Sequence, residues 1–227
     1  MALEKRLFRP TLVFAVLCLA STITAKADTV NFNFEPLAPT SGGALTSLTL
    51  TQSGLTVTLT RESNGRFDIF NNNAEPTFPG TWGARSLAPF TSANAAFIAN
   101  FSQPVSSISI EMGDFGQDAD VPLVQAYSDF NATGTLMGIV SANLPGGGTS
   151  FTFAGLSLPA TGIRSIRFIG GSNDYPNSVL YDNLTVTFGP QAVPEPTTVV
   201  LLGMGLAGLA LKNSKRRQNC KPRSLSL

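Results

Sequence analysis

Histidine is absent from all 227 residues. That alone rules out a Ser-His-Asp triad and any zinc site with histidine ligands. The two cysteines, Cys18 and Cys220, lie near the ends, so residues 28–191 carry no thiol for nucleophilic chemistry and no disulfide. The same stretch holds no lysine, which removes Schiff-base chemistry. Its five arginines (Arg61, Arg66, Arg85, Arg164 and Arg167) face twelve carboxylates, a formal charge of −7. Such a surface repels phosphate backbones, so nucleic acid is excluded as a partner. Pro145-Gly146-Gly147-Gly148 lacks the Gly-Lys-Ser/Thr ending of a phosphate-binding loop and reads as a loop. No apolar spacing of helical period and no fixed-period repeat occurs in this region.

The whole-chain charge of +1 hides this segregation, because ten of the fifteen basic residues sit at the two ends. At the start, Lys5, Arg6 and Arg9 precede an apolar run from Thr11 to Ala20. Ala25-Lys26-Ala27 then offers small residues at both positions a signal peptidase reads, which places the cut before Asp28. The run is too short to span a bilayer, which takes about twenty apolar residues. Residues 1–27 therefore read as a cleaved signal peptide. Ala15-Val16-Leu17 lacks the small residue that a lipid-modified Cys18 would need before it.

At the other end, Val193-Pro194-Glu195-Pro196 leads into the apolar run Thr197–Leu211, which is followed by Lys212, Lys215, Arg216 and Arg217. The two prolines hold an extended backbone that refuses helix, in a form a membrane-side enzyme can engage. The apolar run enters the bilayer, and the basic cluster keeps its far end cytoplasmic. As a helix its fifteen residues reach about 22 Å. This order of parts over 192–217 resembles the PEP-CTERM sorting domain of Gram-negative bacteria. The resemblance implies recognition by an exosortase and removal of the tail. It also implies passage through the inner membrane to the cell surface or the exterior, and association with exopolysaccharide and biofilm matrix. Residues 218–227 form a cytoplasmic tail in this reading.

The remaining segment, 28–191, reads as one β domain. Apolar residues alternate in Val30–Phe34, Leu55–Leu59, Ile108–Met112 and Leu184–Phe188, with threonine, valine and phenylalanine enriched. Further strands are predicted at Phe67–Phe70, Ala96–Phe101, Leu123–Phe130, Thr135–Val140, Ser150–Phe153 and Ile163–Ile169. Glycine, proline and asparagine punctuate the gaps. The pattern predicts an all-β, antiparallel β-sandwich of jelly-roll type. Asn131-Ala132-Thr133, a glycosylation sequon by pattern, reads as a turn.

The carboxylates carry what chemistry remains. Asp114, Asp118 and Asp120 crowd one loop with Glu111 just upstream, either as calcium ligands or as a solvated hairpin turn that guards a sheet edge. Glu35 ends the first predicted strand and Asp182 lies in the last. These two segments resemble those of carbohydrate-binding modules in which acids hold a structural calcium; otherwise they are two ordinary exposed acids. Trp82, with Arg85 in the same loop and Tyr175 in another, could stack on a sugar, or the tryptophan packs in the core. A glycoside hydrolase would need a carboxylate pair, and no spacing selects one. The expectation is a non-enzymatic surface or matrix protein acting by adhesion or exopolysaccharide association. The alternative is a carbohydrate-binding module, then a carboxylate-dependent glycoside hydrolase.

Overall fold

The computed structural model describes residues 27–74, 78–91, 94–116, 118–148 and 150–189. Ala25, the sorting motif Val193–Pro196, the apolar run and the basic residues Lys212–Arg217 lie outside the described residues, as does most of the signal peptide. The described chain is an antiparallel β structure of ten strands. They are β1 (Asp28–Phe32), β2 (Ser47–Gln52), β3 (Leu55–Arg61), β4 (Phe67–Asn71), β5 (Arg85–Pro89), β6 (Phe97–Asp114), β7 (Leu123–Tyr127), β8 (Leu136–Ser141), β9 (Thr152–Ile169) and β10 (Leu180–Phe188).

Two strands organise the rest. β6 and β9 are each 18 residues long and pair with one another along most of their length. Their register breaks between Asn100 and Val105 and again before Ser107, close to Pro104 and opposite the left-handed Gly162 (φ 95°). Before the break β6 pairs with β3, which pairs with β2, while the second half of β9 pairs with β7, and β7 with β8. After the break β6 pairs with β10, which pairs with both β1 and β5, and β5 with β4. The two long strands thus serve both layers of a sandwich, turning the corner where the ladder is interrupted.

The sequence reading splits each long strand in two, as Ala96–Phe101 with Ile108–Met112 and as Ser150–Phe153 with Ile163–Ile169; the structure joins them through the irregular stretch. It also adds β2 and β5. β2 meets β3 through a two-residue turn, Ser53–Gly54, with φ of 50° and 80°, the left-handed pair a tight hairpin requires. The first strand stops at Phe32, so Glu35 lies in the turn beyond it rather than at its end. Asn131 and Ala132 occupy a left-handed turn, φ 57° and 54°.

The core follows the alternation. In β3, Leu55, Val57 and Leu59 are buried while Thr56, Thr58 and Thr60 are not. One apolar cluster takes residues from both layers, with Phe97 stacked on Phe168 at 5.4 Å and both edge-on to Tyr181. Arg61, also buried, lies over the Phe97 ring and donates to the carbonyls of Ala95, Arg66 and Thr91. A smaller aromatic cluster forms around Trp82.

Candidate functional site

The acids fall into two groups that the chain order does not show. The first is built by strand register. β10 pairs with β6 so that Asp182 stands directly opposite Glu111. Like charges facing across an antiparallel pair repel, and Asp182 is 1% exposed, so water cannot screen it. Burial raises its carboxyl first; the nearby charges of Glu35 and Glu111 add to this, and the group is pushed up to about 8 despite a bond from the Asn183 amide. Immediately after Asp182 the ladder slips, and Asn183 turns left-handed (φ 50°). That turn aims its side-chain amide at both Glu111 Oε2 and the Thr81 carbonyl, each at 2.9 Å, while Asn31 donates to its oxygen.

Glu35 arrives from the turn after β1. Its Oε1 accepts the backbone amides of Ala84 (2.7 Å) and Arg85 (3.0 Å). Gly83 makes this possible: it is left-handed (φ 57°), and a methyl group on it would overlap the carboxylate. Arg85 turns its guanidinium away, donating to Leu37 O, Asn71 Oδ1 and Ala84 O. Glu35, Glu111 and Asp182 are therefore three neighbouring acids from separate elements. The one ion pair among the described residues lies elsewhere, between Arg167 and Glu62. The carboxylate oxygens of Glu35, Glu111 and Asp182 do not converge as one ligand set; among the described residues only Asp114, Asp118 and Asp120 bring one oxygen each within 4.8 Å of the others.

Sequence reasoning named Glu35 and Asp182 but assigned Glu111 to the other group and overlooked Asn183 and Asn31. Alternation along β10 carried no signal for the burial of Asp182, because the ladder slips beside it. The slip at Asn183 reverses the alternation of β10: Tyr181 shares the core face of Leu184, Val186 and Phe188, whereas Leu180 and Asp182 face the other way, Leu180 into the Trp82 cluster.

The second group is Asp114, Asp118 and Asp120, whose carboxylate oxygens lie within 4.8 Å of one another. This loop is not a hairpin turn, because β6 and β7 do not pair; it is a crossover, β7 joining β8 and β9 instead. Asp118 is exposed, Asp114 half-buried and Asp120 buried, so the group runs from solvent inward. Burial, then the charges of Asp114 and Asp118, push the Asp120 carboxyl up to about 7.

The proposed sugar contacts are not brought together as a platform. Trp82 is completely buried, packed against Phe78, Phe151 and Phe153. It therefore presents no face to a sugar, and Arg85 is occupied by backbone carbonyls and Asn71. Asn72 fastens the loop by donating to Trp82 O and accepting from Ser86. Of the three, Tyr175 alone is well exposed, at 55%. The two carboxyls with raised affinity for protons, Asp120 and Asp182, are both enclosed.

Among the described residues no helix is long and apolar enough to cross a membrane. The PEP-CTERM protein-sorting motif matches residues 192–217, which implies an exported protein processed by an exosortase, membrane-anchored and then secreted. No curated protein matches the chain. Among solved structures it is similar to the K2 cleaved adhesin domain of Lys-gingipain, at 13% identity and TM-score 0.44, over 71% of this chain and 98% of that one. It is also similar to an arabinose-bound α-L-arabinofuranosidase, at 15% identity and TM-score 0.42, over 70% of this chain but only 25% of the enzyme. A xylan-binding domain from Paenibacillus barcinonensis aligns over 56% of this chain and 90% of its own, at 13% identity and TM-score 0.34.

Proposed function

We propose that the chain is an exported surface or matrix protein of a Gram-negative bacterium, whose acidic, non-catalytic jelly-roll sandwich acts outside the cell in adhesion or exopolysaccharide association. The sorting motif at 192–217 carries this reading, because it sets where the domain works. Composition supports the non-catalytic part: histidine is absent from the chain, and lysine and cysteine are absent from residues 28–191. β1 begins at Asp28, the first residue left by the expected signal cleavage.

Within that module, Glu35 and Asp182 share a structural calcium ion, which draws their carboxylates, with Glu111 beside them, closer together than they stand without it. β1 and β10 already pair from Asp28↔Phe188 to Phe32↔Leu184. An ion beside that seam joins the first turn, the Ala84–Arg85 backbone and the last strand, and offsets the Asp182–Glu111 repulsion. Its role is stability rather than chemistry. A carbohydrate-binding module is the second reading, favoured by the exposed ring of Tyr175; retention of the protein by a polysaccharide gel is its test.

Mass spectrometry of the protein from cells with and without their exosortase tests the main reading. The expected mature chain starts at Asp28 and ends near Pro194–Pro196 only when the enzyme is present. A chain that keeps Leu227 in both strains makes the tail a plain anchor and sinks the released-matrix reading.

A further inference from the structure

We infer that the crossover between β6 and β7 holds a second calcium ion, ligated by Asp114, Asp118 and Asp120. Clustering of the three oxygens within 4.8 Å is the first observation, and alone it would mean little. The second is the state of Asp120. Its residue is 2% exposed, and its Oδ1 is enclosed with no hydrogen-bond partner. A buried carboxylate oxygen without a donor is costly and calls for a counter-charge. No arginine supplies one, since the single ion pair among the described residues is Arg167–Glu62.

The Asp120 side chain has no easy escape. Its backbone exchanges two hydrogen bonds with Leu144, at 3.2 and 2.9 Å, and Val121 donates to Gly171 at 3.1 Å. Gly116 completes the cradle, for a methyl group there would overlap the Asp114 carboxylate and crowd that of Asp118. The donors are all hard oxygens, with no nitrogen or sulfur among them, which selects calcium over zinc. Three carboxylates plus water satisfy calcium's irregular shell more readily than the near-ideal octahedron that magnesium demands. Asp118 at the surface and Asp120 at depth give the ion a path inward. Once bound, it clamps the crossover to the Leu144 segment after β8 and to the Gly171 loop that carries Tyr175. The affinity expected of an extracellular site is on the order of 10⁻⁴ to 10⁻³ M.

The test is calorimetric titration of calcium chloride into chelator-treated exported protein, comparing wild type with Asp118→Asn and Glu35→Gln. Asp118 is exposed and its charge repels that of Asp120, so its replacement leaves the metal-free melting temperature unchanged or slightly raised. Asp118→Asn should weaken one calcium site about tenfold or more, through loss of a charged ligand, and Glu35→Gln should leave that same site intact. An unchanged isotherm in Asp118→Asn, or no calcium uptake by wild type, overturns the assignment. Asp120→Asn gives an independent reading: calcium should raise the melting temperature of Glu35→Gln but not that of the Glu35→Gln, Asp120→Asn double variant. Equal response of the two means that Asp120 instead shares a proton with Asp114, and no ion is held there.

Discussion

Replacing Trp82, the only tryptophan, separates a core ring from a sugar-stacking one. The ring is fully buried, its centroid 4.7 Å from Phe151 and 5.9 Å from both Phe78 and Phe153. Burying about 200 Å² of such a side chain contributes roughly 5 kcal/mol at about 25 cal/mol per Å². Against this stands its Nε1, enclosed without an acceptor, which costs about 1–3 kcal/mol. Trp82→Ala loses the first term and relieves the second, leaving a cavity, so a net loss of about 3–5 kcal/mol is expected. In a domain of this size that lowers the melting temperature by on the order of 10 °C. Trp82→Phe keeps a ring in the cluster and removes the orphaned N–H, so the two changes nearly cancel, to within about 1 kcal/mol. Circular dichroism is the suitable probe, because the variants remove the tryptophan fluorescence. Wild type, both variants and Tyr175→Ala would then be run through polysaccharide gels. A Trp82→Ala protein with unchanged stability and lost retention would place the ring at the surface and refute the reasoning.

Without calcium the Asp182 carboxyl, pushed up to about 8, is mostly protonated at neutral pH, so Asp182→Asn, which swaps it for a neutral amide of the same shape, should melt close to the wild-type temperature. Calcium at about ten times its dissociation constant should add about 1.4 kcal/mol to wild type at this site and nothing there to the variant; melting curves with calcium and with chelator, both in an Asp118→Asn background, decide it, and an equal shift removes the site. Glu62 is held below the usual carboxylate range, chiefly by its bond from Arg167. A lowered folded value means stability that is present above the unfolded value, about 4.3, and is lost as pH falls through the folded one. The pair is partly exposed, so Glu62→Gln should cost about 1 kcal/mol or less at pH 7 and nothing near pH 2; a urea midpoint difference that persists at low pH would contradict this.

Much of the fold was legible because half-buried strands write their period into the chain. The Leu55–Leu59 and Leu184–Phe188 alternations fall in β3 and β10. β2 was overlooked although Leu48 and Leu50 alternate with its threonines and Ser53–Gly54 marks its turn; paired only with β3, it buries neither leucine fully. β6 and β9 were each read as two strands, with gaps at 102–107 and 154–162 that hold Pro104 and Gly162, near which the ladder bends without ending. The acids were legible as residue types but not as groups. Glu111 lies three residues from Asp114 along one strand, yet the pairing of β6 with β10 turns it toward Asp182.

The sorting motif at 192–217 needed only the sequence. Proteases and membranes read short extended or apolar segments directly, so the order of Pro-Glu-Pro, apolar run and basic cluster specifies delivery without any fold. Composition likewise set what chemistry residues 28–191 cannot do. Register and burial decided the rest, and both arise from contacts between segments far apart in the chain. Asp182 meets Glu111 across 71 residues of sequence. The backbone of Asp120 is tied to Leu144, and that of Val121 to Gly171, segments far along the chain. Trp82 became core because Phe151 and Phe153 come from a distant strand and its approach.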